Sequence, residues 1–249
     1  LARISGVDLT NDLFLGEGMR DLAIEAAWHG LSDCDKCPIQ DLVLFADLEK
    51  ADFNTIHLPI DDIWFPPGAA LYQADEAAGA LFTVRSGLVK LEQYLTDGTR
   101  RIVSLAGQGD VLGLEATVSP VYEHTAIALQ PTAVCRIPKG IVGRLSDKLN
   151  RQIMRKWHES VQKAHACTRD LSTGAARQRV ARLFLFLASA DSARCRLFSR
   201  EDVGALLGVT TETASKTVAE FKRLGLVREV AANVFERDIA ALERIAAGD

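Results

Sequence analysis

Near residue 140 the spacing of apolar residues changes, and this change limits the chain more than any other feature. From about 55 to 138, short apolar runs alternate with turn residues. The runs are Asp62 to Phe65, Leu71 to Gln73, Leu81 to Arg85, Leu88 to Leu95, Arg101 to Leu105, Thr125 to Leu129 and Ala133 to Ile137. Between them stand Pro66-Pro67-Gly68, Ser86-Gly87, Asp97-Gly98, Gly107 and Gly109-Asp110. Short strands at near-regular spacing with glycine turns predict an all-β barrel or roll. Asp97-Gly98, flanked by two apolar runs, predicts a hairpin. From about 141 the apolar spacings become three and four, the mark of helices. The chain therefore divides into a mixed segment at 1–50 holding a close cysteine pair, a β-roll at 51–140, a long helix at 141–172 and a helical C-terminal region at 173–249.

The long helix is expected from Leu145 to Leu171. Along it Met154, Trp157, Val161, Ala164, Thr168 and Leu171 recur at alternating spacings of three and four, a heptad seam. The opposite face carries Arg155, Lys156, Glu159 and Lys163. Two readings fit: a helix packed on its own domain, or a seam of a width that suits one partner helix. No seam residue is charged, so nothing at neutral pH opposes pairing. The six are taken as a dimer interface.

The end of the chain carries the strongest signal. Arg177 to Ala190 reads as a helix with apolar Val180, Leu183, Phe184 and Leu187. Ser199 then precedes Asp202 by three, the spacing of a capping box, and opens a helix over Val203 to Leu207. Gly208 stops it. Thr210 is a second N-cap, and a second helix runs from Thr211 to Leu224 with Gly225 beyond it. Two short helices around a glycine turn make a helix-turn-helix. On the second, Ala214, Val218, Phe221 and Leu224 share one face, and Glu212, Ser215, Lys216, Ala219 and Arg223 the other. That polar, partly basic face suits the major groove, where a carboxylate accepts from cytosine and a lysine donates to guanine or phosphate. The DNA-contacting set is expected to be Ser199, Thr210, Thr211, Glu212, Ser215, Lys216 and Arg223. Leu226 to Val230 and Val234-Phe235, around Ala231 to Asn233, read as a two-stranded wing.

Composition excludes other classes. The chain has 249 residues, 48% apolar and 25% charged, with a net charge of −4. Two modest domains with real cores are expected, and any DNA binding must come from a local basic surface. No run of about 18 apolar residues occurs, and the start lacks the basic-then-apolar order of a secretion signal. No membrane partner is expected. Five scattered cysteines do not form a disulfide framework, so a reducing cytoplasm is expected. Walker, G-x-S-x-G and H-E-x-x-H motifs are missing, so catalysis is not expected.

With these residues in view, the chain resembles the CRP/FNR family of bacterial transcriptional regulators over roughly residues 30 to 240. Phe82 to Lys90 looks like the family's mid-roll strand pair. Asp97-Gly98 and Gly107 to Gly113 look like its glycine landmarks, and Val209 to Lys216 resembles its recognition-helix motif. The resemblance implies an α+β fold: an N-terminal cyclic-nucleotide-binding-type β-roll, a long dimerisation helix and a C-terminal winged helix-turn-helix. It implies a homodimer on double-stranded promoter DNA, with RNA polymerase as a further partner if the protein activates. In the FNR branch the recognition motif is Glu-x-x-Ser-Arg. Glu212 and Ser215 match it, but Lys216 replaces the arginine and lacks its bidentate fork.

The resemblance also bears on the signal. Where cyclic-nucleotide members clamp a phosphate, this chain reads Gly113-Leu114-Glu115 and Glu123-His124-Thr125. It offers no arginine there, and Glu123 would repel an anion, so a cyclic nucleotide is disfavoured. Cys34, Cys37 and Cys135 resemble positions that hold a [4Fe–4S] cluster in FNR-like oxygen sensors, and thiolates suit such clusters. The fourth cysteine would stand at Val43, leaving Asp33, Asp35 or Asp41 as substitutes. Other readings stay open. Cys34 and Cys37 form a redox-switching thiol pair, or the cysteines are a remnant, with Cys135 a small buried hydrophobe. Haem or another small ligand is the remaining case, with His29, His57, His124, His158 and His165 as candidates. Cys167 and Cys195 lie too far along the chain to be natural ligands.

Overall fold

A computed structural model describes the backbone of residues 27–31 and residues 60–142, 147–187 and 193–248. The roll is built from β1 (Ala27–Leu31), β2 (Asp61–Phe65), β3 (Ala70–Tyr72), β4 (Ala80–Ser86), β5 (Val89–Tyr94), β6 (Arg100–Ala106), β7 (Val111–Leu112), β8 (Thr125–Ala128) and β9 (Thr132–Pro138). They form one sheet in the order β1-β2-β9-β4-β7 and another in the order β3-β8-β5-β6. Leu81, Val84, Val89, Ala126, Val134 and Ile137 fill the space between. The expected hairpin joins β5 to β6. Gly98 takes φ 79°, and the Thr99 amide donates to the Asp97 side chain at 2.8 Å. Gly87 has φ 98°, and a Cβ there would lie 2.6 Å from the Pro131 carbonyl oxygen. Only glycine allows β4 to turn into β5 against that backbone.

After a short helix α1 (Lys139–Val142), the long helix α2 runs over Asp147–Ala166 and ends in a π-turn at Cys167–Leu171. Leu149 and Ile153 bind its first half to the roll, with Trp157 packed alongside. The C-terminal unit holds α3 (Ala176–Phe186), β10 (Arg194–Arg196), α4 (Arg200–Leu207), α5 (Thr211–Arg223), β11 (Val227–Ala231), β12 (Val234–Arg237) and α6 (Ile239–Ala247). Phe184 anchors its core, with ring centroids 6.4 Å from Phe221 and 5.5 Å from Phe235. Ile102 and Leu105 of the roll are buried in this second core. Among the described residues no helix is long and apolar enough to cross a membrane.

Three expectations change. The long helix does not run unbroken to Leu171, because the wider π-turn shifts the phase of its last residues. Leu171 therefore leaves the seam and is buried in its own chain, at 1% exposure, with Cys167 beside it in that core. Leu224, placed by periodicity on the buried face of the second helix, is its C-cap and 55% exposed. The wing has three strands in the order β10-β12-β11 instead of two. β1, β10 and α6 had no counterpart in the sequence reading.

Candidate functional site

The C-terminal helix pair is built by its caps. Ser199 Oγ accepts from the Asp202 amide at 3.1 Å at the start of α4, and Gly208 ends that helix at φ 65°. Thr210 Oγ1 accepts from the Thr213 amide at 3.1 Å at the start of α5. These bonds satisfy donors that a helix start leaves open. Ser199 and Thr210 thus serve first as caps. Gly204 sits where α4 crosses the turn, and a Cβ on it would lie 2.7 Å from the Val209 carbonyl oxygen. Sequence reasoning passed over this glycine. Its signal was available, since a glycine inside a helix costs about 1 kcal/mol against alanine and marks a close approach.

Ala214, Val218 and Phe221 bury the back of α5. Thr211, Glu212, Ser215, Lys216 and Arg223 are exposed. Lys216 Nζ pairs with Glu212 Oε1 at 2.7 Å on that outer face. Lys222 turns toward the wing and pairs with Glu229 at 2.6 Å. The arrangement presents a carboxylate, a hydroxyl and an amine on one rigid, solvent-facing helix.

On α2, Met154 and Val161 are exposed, Val161 at 43%, and Thr168 in the π-turn is exposed too. Trp157 and Ala164 are half-buried because they line a cavity of about 270 Å³ between α2 and the roll. Asp110, Glu115, Glu123 and His124 also line it. Lys163 pairs with Asp110, and one oxygen of Glu115 is buried without a partner. Tyr72 stacks on Tyr122 with centroids 4.0 Å apart. Burial pushes its hydroxyl well above the usual tyrosine range, and Glu115 adds to the effect. Three carboxylates against one amine, itself engaged, make this cavity a poor host for a phosphate.

Cys34 and Cys37 lie outside the described residues, as do Asp33, Asp35, Asp41 and Val43. Cys135 is buried on β9 against the roll core. Among the described residues no three His, Cys, Asp or Glu side chains are grouped to hold a metal ion. Leu31, at the end of β1, pairs with Asp61, and Asp61 pairs with Arg136, the neighbour of Cys135. Cys167 and Cys195 are buried in the other core.

Two family models match the chain: the cyclic nucleotide-binding domain over residues 62–148 and the Crp-like helix-turn-helix domain over residues 178–245. The transcriptional regulator LdrP of Thermus thermophilus is 32% identical over 183 residues, covering 70% of this chain and 91% of that protein. The anaerobic regulatory protein of Aggregatibacter actinomycetemcomitans is 29% identical over 205 residues, covering 78% of this chain and 80% of that protein. A solved CRP-family transcriptional regulator, also from Thermus thermophilus, superposes with a TM-score of 0.66 at 26% identity. That match covers 74% of this chain and 96% of the other.

Proposed function

Because the chain belongs to the CRP/FNR family of DNA-binding transcriptional regulators, we propose that it acts as a cytoplasmic homodimer whose binding to promoter DNA follows oxygen or redox state. The observation that carries the DNA reading is α5. Its back is buried and its front offers Thr211, Glu212, Ser215, Lys216 and Arg223 to solvent. Ser199 and Thr210, at the starts of α4 and α5, would contact backbone phosphates in this reading. Two such helices in a dimer would read half-sites one DNA turn apart. Met154 and Val161, apolar and exposed on a helix otherwise rich in charge, support α2 as the pairing surface. RNA polymerase is a further partner if the protein activates.

The redox reading rests on Cys34, Cys37 and Cys135. Cys135 is buried on β9 against the roll core, and Cys34 and Cys37 would have to reach it from outside the described residues. Thiolates fit an iron–sulfur cluster, which would supply an oxygen-labile centre. One of Asp33, Asp35 and Asp41 completes the set. The name of the anaerobic relative points the same way. The acidic cavity beside α2 argues against a cyclic nucleotide as the signal. Protein purified without air and assayed for iron, sulfide and duplex binding tests the reading. Metal-free protein whose DNA binding ignores oxidants overturns the redox part. A redox response without iron favours a thiol switch at Cys34 and Cys37.

A further inference from the structure

The roll and the C-terminal unit are joined by charges that neither the recognition face nor the sensing cysteines use. Lys90 Nζ on β5 lies 2.7 Å from Asp202 Oδ1 and 2.9 Å from Glu92 Oε2. Arg100 Nη1 on β6 lies 2.7 Å from the same Asp202 oxygen and 2.9 Å from the same Glu92 oxygen. Two cations and two anions thus alternate around a closed ring, and Arg100 Nη2 also reaches the exposed Glu201 carboxylate of α4 at 3.0 Å. The Lys90 and Glu92 side chains are only 7% and 6% exposed, and Arg100 and Asp202 are little more open. Three members belong to the roll. Asp202 stands in the first turn of α4, where Ser199 donates to its second oxygen at 2.8 Å.

The surroundings make the ring a directional joint. Ile102 and Leu105 of β6 are buried in the C-terminal core, and the Arg101 guanidinium lies against Gly208 in the turn between α4 and α5. Apolar contact of this kind tolerates sliding. Buried charges do not, because each displaced member loses its counter-ion in a place where water cannot replace it. On the other side of the same two strands, Leu91 and Val103 line the cavity beside α2. Leu91 stands between Lys90 and Glu92, so side-chain alternation along β5 sends one residue to the cavity and its neighbours to the ring. The docked arrangement leaves Glu212, Ser215 and Lys216 open to solvent.

We propose that the Lys90–Glu92–Arg100–Asp202 ring is an interdomain lock that fixes the angle at which the roll presents the recognition helix, with Lys90 and Arg100 as positioning residues for DNA binding. A displacement of β5 at the cavity would strain the ring and release α4. The consequence for DNA rests on the regulator reading, but the lock itself does not.

The test uses full-length Arg100→Gln, Asp202→Asn and the paired variant. Hydrogen exchange is followed at β5, β6 and α4. Affinity is measured for a duplex selected from a random pool by the wild-type protein. Each single variant leaves an unbalanced buried charge. Each should speed exchange at both the β6 and α4 ends and weaken DNA binding about tenfold, within the usual range of coupling between sites. The paired variant restores neutrality and should recover much of both losses, which a simply misfolded α4 would not. Unchanged exchange in both single variants, or losses that merely add in the paired variant, overturns the lock. If the wild-type protein selects no duplex, the exchange measurements still decide the lock, and it is the DNA reading that fails.

Discussion

Lys216 and Glu212 are paired across one turn of α5, 2.7 Å apart, with both side chains about three-quarters exposed. An exposed pair of this spacing adds only about 0.3–0.5 kcal/mol to a helix. Its residues are therefore cheap to change for folding, and any loss on DNA reports reading. Glu212→Ala and Ser215→Ala should each alter base preference by about 1–3 kcal/mol if they make good base contacts. Lys216→Ala should weaken binding. Competition among duplexes with single base changes measures this, with thermal unfolding as control. Unaltered affinity and preference in all three would mean that another surface reads the DNA.

Val161→Asp should break the dimer. It would set two unpaired carboxylates against each other in an apolar seam, worth roughly 3 kcal/mol or a hundredfold in dissociation constant. Sedimentation velocity over a concentration series should show a monomer, and DNA affinity should fall with it. Leu171→Ala should behave differently. That side chain is buried within one chain, so it should cost about 2–5 kcal/mol of folding stability. A persistent Val161→Asp dimer removes the seam.

The cysteines should separate into two groups. Burial pushes the Cys195 thiol up to about 11 and raises Cys167 as well. At pH 7 the thiolate at Cys195 is then about 10⁻⁴ of the total. Both should resist iodoacetamide until the protein unfolds. Serine at Cys34, Cys37 or Cys135 should lower iron and sulfide content in protein prepared without air. One of Asp33→Ala, Asp35→Ala and Asp41→Ala should do the same. Full iron content in all three cysteine variants would dismiss these residues as ligands.

Acid should loosen the joint between roll and C-terminal unit. Burial alone would raise the Asp202 carboxyl. The donors Lys90, Arg100 and Ser199 together outweigh it and hold the group below the usual range. Its stabilising contribution is therefore complete above the unfolded value near about 3.9 and is lost as pH falls below that, through the folded value. Acid unfolding followed by circular dichroism should have a steeper limb in the wild type than in Asp202→Asn. Parallel limbs would show that Asp202 contributes no such term.

Local chemistry was readable from the chain. Ser199, Gly208, Thr210 and Gly225 announce helix ends through bonds and backbone angles that depend on near neighbours. The face of Ala214, Val218 and Phe221 follows from periodicity alone. Leu171 and Leu224 escaped the same logic because each sits where the helix changes character, one in a π-turn and one at a cap. β10 is three residues long and exists through its pairing with β12, so its own residues carry little strand signal. The ring of Lys90, Glu92, Arg100 and Asp202 spans more than a hundred positions. Its members look like ordinary surface charges until folding brings them together.

The tight crossing at Gly204 bears on what regulation can do. Where a hydrogen atom is all that fits between a helix and the following turn, α4 and the turn into α5 cannot pack any closer than they do. A signal that acts through the roll is then expected to turn the packed pair as one unit toward or away from the groove, leaving its shape as it is. Such a protein would change how often it engages its sites while the sequences it recognises stay the same.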